Sequence, residues 1–319
     1  MKYFKLFEKC SLCPRNCGIN RSALSPAFKT GFCNADDQLR VAHIGAHFGE
    51  EPPISGTKGS GTIFFSGCSL KCSFCQNYQI SRDDYGKLMD TKELLSRVMD
   101  LIRLNAVHNI NFVTPDHFFP FTFELVEQLR KKGHCLPVVY NLSGYQSVPL
   151  LTIAEEYADI YLPDYKYSDS DLSRRLSRCN NYPTVALDAI VEMVKQKGFL
   201  DSFSTGERTA TRGVLVRHMI LPGEVKNSID ALSSLFIELG PELPISLMSQ
   251  YFPVLSQEEK NLNRTVAQDE FNRVYSHVKD LGFSNIYIQY LDQLQDESCG
   301  ERSFLPDFRL PRPFMGNMP

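Results

Sequence analysis

The sequence predicts an α/β protein, an open, partial (β/α)6 barrel with a cysteine-rich extension ahead of it. Three observations carry that prediction. From residue 61 onward, apolar runs of strand length alternate with longer segments whose apolar residues recur at helical spacing, and short loops join them. Such alternation implies parallel strands linked by crossover helices. Six such units are too few to close an eightfold ring. Finally, polar residues gather at one end of the predicted strands, where barrels of this kind keep their working groups.

Composition sets the bounds. The chain has 319 residues, 43% of them hydrophobic, with a mean hydropathy of -0.23, as expected for a soluble protein with a sizeable core. A net charge of -3 and a pI near 6.2 provide no global basic field, which disfavours nucleic acid and anionic membranes as partners. No stretch is long and apolar enough to span a bilayer, and the first twenty residues lack the apolar core of a secretion signal. Ten cysteines, seven of them in two tight clusters, suit thiolate metal sites in a reducing compartment better than a disulfide framework. The expectation is a cytoplasmic metalloprotein.

Three parts are expected: a cysteine-rich extension over 1–58, the barrel over 59–291, and a tail over 292–319 packed on it. The extension opens with CSLCPRNC, which carries Cys10, Cys13 and Cys17, and reaches Cys33 in GFC. Spacings of three, four and sixteen supply four thiolates, enough for a structural zinc site, an auxiliary iron–sulfur cluster or a reactive redox group. Residues 43–60 read as a polar, turn-rich loop containing His43, His47, Glu50 and Glu51, able to reach a substrate if it folds over the barrel mouth.

The barrel elements follow in order. A first strand over 62–65 (TIFF) leads into GCSLKCSFCQN. Asp90 or Thr91 caps a helix whose apolar positions are Leu94, Leu95, Val98, Leu101 and Ile102. A second strand over 110–113 precedes a helix through Leu125, Val126 and Leu129, and a third, over 137–141, precedes a helix around 150–157. A fourth strand over 159–164 is followed by two helical stretches. A fifth spans 213–221 with its helix over 229–239, and a sixth spans 244–251. A last helix over 268–281 leads to a short strand over 286–290.

The predicted strand ends carry the chemistry. Cys68, Cys72 and Cys75 lie four and three residues apart in one tight loop. Three thiolates can hold three irons of a cubane and leave the fourth open to a ligand. The third strand ends in Asn141 and Ser143, and the fourth in Asp164-Tyr165-Lys166, whose outer two side chains share a face. On the fifth, Arg217 and His218 face opposite ways, and Arg217 is the one expected to line the barrel.

CxxxCxΦC, with Phe74 as the aromatic, resembles the signature of the radical S-adenosylmethionine (radical SAM) superfamily. Across nearly the whole chain, from Cys10 to about Tyr290, the sequence resembles the pyruvate formate-lyase activating enzymes, and specifically the related branch with an N-terminal CxxCPRxC. The pieces that carry this are CSLCPRNC, EEPPISG, GCSLKCSFCQN, YLPDYKY and VRHMILPG. The resemblance implies the partial barrel fold and a [4Fe-4S] cluster on Cys68, Cys72 and Cys75 whose open iron chelates the amino and carboxylate groups of SAM. It also implies Phe74 beside the adenine, Asn141 and Ser143 near the ribose, and Asp164 and Lys166 as the DxK motif near SAM. Arg217 matches the arginine before the V/L-P-G turn.

The implied reaction is reductive cleavage of SAM to a 5′-deoxyadenosyl radical that abstracts hydrogen. The implied partners are an electron donor such as flavodoxin or ferredoxin and a substrate protein on which a glycyl radical is made. A small molecule or peptide is the alternative substrate. An iron–sulfur electron carrier is a reading from another class, against which Phe74, the DxK motif and Arg217 argue. One departure stands out: the Gly-Gly-Glu run that activating enzymes place after the second strand is replaced by VTPDH, leaving Thr114 and Asp116 as candidates to hold the SAM amino group.

Overall fold

The computed structural model describes residues 3–206, 208–291 and 305–314. The chain enters through a 3-10 turn (Phe4–Phe7) and a cysteine-bearing stretch without regular structure, then forms β1 (Arg40–His47). After α1 (Pro52–Ser55) comes β2 (Ser60–Phe65), antiparallel to β1, with an irregularity in the register between Val41 and His43. Residues 43–47 are therefore strand rather than the expected loop. Ala, Gly and His are poor strand formers, but the hydrogen-bonding edge of β2 overrides that weak local preference.

The cysteine loop follows, with α2 (Tyr78–Ser81) and β3 (Lys87–Leu88), which pairs with β1. The repeating units are α3 (Thr91–Asn105), β4 (Ile110–Val113), α4 (Phe119–Lys131), β5 (Val138–Leu142), α5 (Val148–Ala154) and β6 (Ile160–Pro163). Next come α6 (Ser170–Ser177), α7 (Tyr182–Lys197), α8 (Ser202–Thr205), β7 (Gly213–Val214) and β8 (Val216–Met219). The last are α9 (Val225–Leu239), β9 (Ile245–Met248), α10 (Gln268–Leu281) and β10 (Ile286–Ile288).

A seven-stranded sheet runs β3-β1-β2-β4-β5-β6-β7, parallel from β2 onward, and a three-stranded parallel sheet runs β10-β9-β8. The two are joined in sequence through Leu215 and in space by a bridge between Asp164 and Arg217. The expected α/β architecture with a mostly parallel sheet is what forms. β2, β4, β5 and β6 are buried along their whole length, as strands covered on both faces must be. Helix α3 shows how a crossover is delimited. The Asp90 carboxylate accepts the Glu93 N–H at 2.7 Å, Leu94, Leu95, Val98 and Leu101 are buried, and Ala106 ends the helix in the left-handed region at φ 52.

Between β1 and β2 the chain turns into the barrel instead of over its mouth. Ile54 of α1 is fully buried with Val139, Ile160, Leu162 and Leu215, side chains of the surrounding strands. Its carbonyl accepts from Asn109 Nδ2 at 2.7 Å, and that of Pro53 accepts from Ala210 N at 2.9 Å. The segment acts as a plug. Of the tail expected over 292–319, residues 292–304 and 315–319 lie outside the described residues. Within 305–314, Phe308 and Phe314 pack on Phe64 with ring centroids 5.2 and 5.3 Å away.

Candidate cofactor and substrate site

Directly after β2 the backbone turns at Gly67, whose φ of +92 belongs to the left-handed region. A Cβ there would meet the Cys33 carbonyl and His117 Nε2 at 2.9 Å, so no other residue fits. The turn delivers Cys68, Cys72 and Cys75 to one cavity. Each sulfur already accepts a hydrogen bond: Cys68 from Leu70 N at 3.3 Å, Cys72 from the Ser177 hydroxyl at 3.0 Å and Cys75 from the Ser81 hydroxyl at 3.3 Å. Burial, reinforced by the neighbouring sulfurs, pushes the Cys68 thiol up to about 12, and burial with the charge of Cys72 raises Cys75. A bound metal would carry the charge that burial denies the Cys68 and Cys75 thiolates. In a cubane each iron takes one thiolate, so three thiols on one loop serve three irons. The residues therefore fit an iron–sulfur cubane.

The cavity, about 520 Å3, opens from these cysteines along the strand ends to the plug. Phe74 lines it from within the loop, buried, 6.0 Å from the Tyr251 ring and 6.4 Å from Tyr167. Opposite lies a connected ionic group. Asp164 takes Lys166 Nζ at 2.5 Å and Arg217 Nε at 3.0 Å. Arg217 continues to Glu50 Oε2 at 3.2 Å and Asn141 Oδ1 at 2.6 Å, while Glu50 Oε1 accepts from Asn111 and Asn141 at 3.0 and 3.1 Å. Burial alone would raise the Asp164 carboxyl, but Lys166 and Arg217 more than offset it and hold it below its ordinary value. Burial likewise opposes the charge on Lys166, yet Asp164 and Cys72 raise its pKa.

Strand alternation sorts the rest. Arg217 faces the cavity, whereas His218 is buried behind it, its Nδ1 2.6 Å from the Tyr165 carbonyl and its pKa lowered to about 4 by burial. Tyr165 points back toward Ser234 of α9. Ser143 lines the cavity where Gly144, at φ +81, lets the chain cross the Asp164 carbonyl; a Cβ would sit 2.1 Å from that oxygen. The Tyr182 hydroxyl lies 2.8 Å from the carbonyls of both Ser143 and Asp164, tying the two strand ends together. Of the two residues standing where a Gly-Gly-Glu run was missed, Thr114 lines the cavity. Asp116 turns away to Gln146, and burial pushes its carboxyl up to about 6. His117, its neighbour, lies behind the cysteine loop with Nε2 2.6 Å from the Ser66 carbonyl.

Glu50 and Glu51 reach the cavity from the plug below, not from the mouth. Burial raises the Glu51 carboxyl despite Arg217, and its Oε2 has no hydrogen-bond partner. The signal for this pair was the EEPP run ahead of β2. Nothing in sequence singled out Ser81 or Ser177. Cys10, Cys13, Cys17 and Cys33 sit apart from the cavity, against the back of the cysteine loop. There Arg15 Nε donates to the Ser69 carbonyl at 2.9 Å and Arg21 Nη2 to the His117 carbonyl at 2.9 Å.

No helix among the described residues is long and apolar enough to cross a membrane. The chain is 24% identical over 288 residues to the uncharacterized protein MJ0674 of Methanocaldococcus jannaschii, covering 88% of this chain and 78% of that one. Among solved structures, Streptococcus suis SuiB bound to S-adenosylmethionine aligns with a TM-score of 0.45 at 12% identity, over 70% of this chain and 47% of SuiB. The chain thus spans about half the length of SuiB. Spore photoproduct lyase complexed with a dinucleoside spore photoproduct aligns with a TM-score of 0.46 at 12% identity, over 70% of this chain and 74% of that one. The sequence model of the radical SAM superfamily matches residues 62–235, more than half the chain, from within β2 through the cysteine loop to α9. On that match the chain belongs to the radical SAM superfamily, as an enzyme whose cofactors are a [4Fe-4S] cluster and S-adenosylmethionine.

Proposed function

We propose that this enzyme makes a glycyl radical on a partner protein, in the manner of the pyruvate formate-lyase activating enzymes. One observation carries the reading: the three cysteines, Phe74, Asn141, Ser143, Asp164, Lys166 and Arg217 line one cavity at the strand ends. When bound, the cluster and SAM supply one-electron cleavage of a carbon–sulfur bond of the sulfonium and a 5′-deoxyadenosyl radical that abstracts hydrogen. Cys68, Cys72 and Cys75 would hold three irons. Lys166 offers a cation to a carboxylate, Asp164 an anion to a ribose or a positive group, and Phe74 an apolar face to an adenine. Arg217 keeps Asp164 ionised and fixes Asn141 by its 2.6 Å bond. Phe64 and Phe314 line the cavity with apolar surface, which disfavours water beside a reactive radical. Electrons would come from a flavodoxin- or ferredoxin-class donor.

The unpartnered Glu51 Oε2 at the cavity floor favours a second reading, in which a small molecule or peptide enters and offers a hydrogen-bond donor there. Anaerobic reconstitution and assay of SAM cleavage, with and without a glycyl-radical-enzyme candidate, separates the two. The first reading expects a glycyl EPR doublet on the partner and 5′-deoxyadenosine in matching amount. Cleavage that responds only to a small molecule or peptide overturns it.

A further inference from the structure

We propose that Cys10, Cys13, Cys17 and Cys33 hold an iron–sulfur cluster of their own, seated against the back of the loop that carries the catalytic cysteines. The four sulfurs are gathered by backbone, not by chance of packing. Gly18 N bonds the Cys10 carbonyl at 2.9 Å, Cys10 N bonds Ile19 O at 2.8 Å, and Asn16 N bonds Cys13 O at 3.0 Å, closing a tight double turn with Asn16 and Gly18 at φ 43 and 63. Gly31 brings in the fourth ligand: its Cβ position lies 3.2 Å from Cys17 Sγ, so any side chain there would crowd the sulfur. Cys33 lies within electrostatic reach of Cys10 and Cys17, and Cys13 of Cys10 and Cys33. All four are free thiols.

A second, independent observation points to an anion at this place. Arg21 is wholly buried, and among the described residues its guanidinium has no carboxylate partner. Its N–H groups go to the carbonyls of Ala35, Asp36 and His117 at 2.9, 2.7 and 2.9 Å, and Nη1 lies 3.6 Å from Cys10 Sγ. A buried cation left among carbonyls is costly unless a negative charge stands beside it. Four thiolates on a metal supply that charge.

A single ion and a cluster space their sulfurs differently. Zinc bound at about 2.3 Å draws its four sulfurs to within about 3.8 Å of one another. Among the described residues, which include all four of these cysteines, no three donors converge on one ion position. The same holds for Cys68, Cys72 and Cys75. Thiolates that surround a cubane sit on separate irons and stay further apart. By likeness to Cys68, Cys72 and Cys75, the ligand we infer is iron with inorganic sulfide, and the metal count below decides it against zinc.

The test uses the full chain with Cys68, Cys72 and Cys75 changed to Ala, reconstituted anaerobically with iron and sulfide. Iron, acid-labile sulfide and zinc are counted per chain, and the visible absorption is followed on adding dithionite. The expected result is about four irons and four sulfides with a bleachable chromophore, all lost when Cys10, Cys13, Cys17 and Cys33 are also changed to Ala. About one zinc without sulfide overturns the proposal, as does a normally folded variant with no metal. If the triple variant fails to fold, wild-type protein decides: about eight irons per chain support the proposal and about four refute it. These counts do not depend on the proposed substrate, so they stand or fall apart from any assay of SAM cleavage.

Discussion

Changing Arg15 to Ala should loosen the joint between the N-terminal cysteine turn and the catalytic loop, and the size of the effect follows from what the guanidinium holds. Nε donates to the Ser69 carbonyl at 2.9 Å, inside the loop between Cys68 and Cys72. Nη1 and Nη2 donate to the carbonyls of Arg178 and Ser177 at 2.5 and 2.9 Å. These two carbonyls end α6, where a helix leaves acceptors unpaired and welcomes a cation. The guanidinium also lies over the Phe32 ring, 3.8 Å from its centroid. Charge-assisted bonds to carbonyls are worth about 1 kcal/mol each when partly exposed, and the stacking adds about 0.5 kcal/mol. The sum is about 3.5 kcal/mol, or about three hundredfold in a local opening equilibrium. Because Ser177 donates its hydroxyl to Cys72 Sγ, opening this joint exposes the catalytic cysteines. Reconstituted Arg15→Ala should lose iron to a chelator about a hundred times faster than wild type or more, with a melting temperature lower by about 6 °C. Arg15→Lys, with one donor head, should recover less than half of either effect. Chelation kinetics and melting both indistinguishable from wild type would refute the reasoning.

Further outcomes are expected at the cavity. Replacing any of Cys68, Cys72 or Cys75 with Ala should abolish 5′-deoxyadenosine formation and the SAM-dependent change in the reduced protein's EPR spectrum; persistence of both in the triple variant would contradict the assignment. Asp164→Asn and Lys166→Ala should each weaken SAM binding severalfold or more with cluster content kept, checked by titration, since both end groups face the cavity. Because its folded pKa is depressed, Asp164 contributes stability above its ordinary value of 3.8 that is lost as pH falls through the lower folded value, so Asp164→Asn should cost stability at pH 7 and little in strong acid. Glu51 has the opposite sign. Its raised pKa means the ionised form is penalised in the fold at high pH and the penalty vanishes below its ordinary value of 4.5. Glu51→Gln should therefore melt about 1–3 °C higher than wild type at pH 8 and equally near pH 4, and a lower melting point at pH 8 would count against a buried carboxyl that is penalised when ionised.

The repeating strands were legible because each is a short apolar run fully buried in a parallel sheet, and the helices between them carry clear periodicity. Strand alternation put Asp164 and Lys166 on one face and Arg217 and His218 on opposite ones, and the match to the arginine before the V/L-P-G turn picked Arg217 as the inward residue. β1 was not legible: RVAHIGAH has little strand preference, and only the neighbouring edge of β2 makes it one. The plug was misjudged for a related reason. EEPPISG reads as a surface loop by its charge and prolines, yet Ile54 finds the barrel floor and Glu50 finds Arg217, partners 167 residues away. The second-strand end divided: Thr114 reached the cavity while Asp116 found Gln146 instead, a choice set by a φ of 51 at Thr114 that no pattern announces. Ser81 and Ser177 sit on the sulfurs through tertiary packing and leave no mark in the chain.

Arg15 and its carbonyl partners also say something about the order of events as the protein is made. The CxxCPRxC turn is complete once the first two dozen residues exist, but the carbonyls it clasps belong to residues 162 and 163 positions later. Gln76, beside Cys75, waits even longer, for the carbonyl of Gln250, 174 positions on. Contacts of such separation close late, after the local turns and helices that cost less entropy. Through much of synthesis the catalytic cysteines therefore stand in a loop with neither its rear clasp nor its cavity wall. The catalytic loop is held in its final shape only when the second half of the barrel has docked.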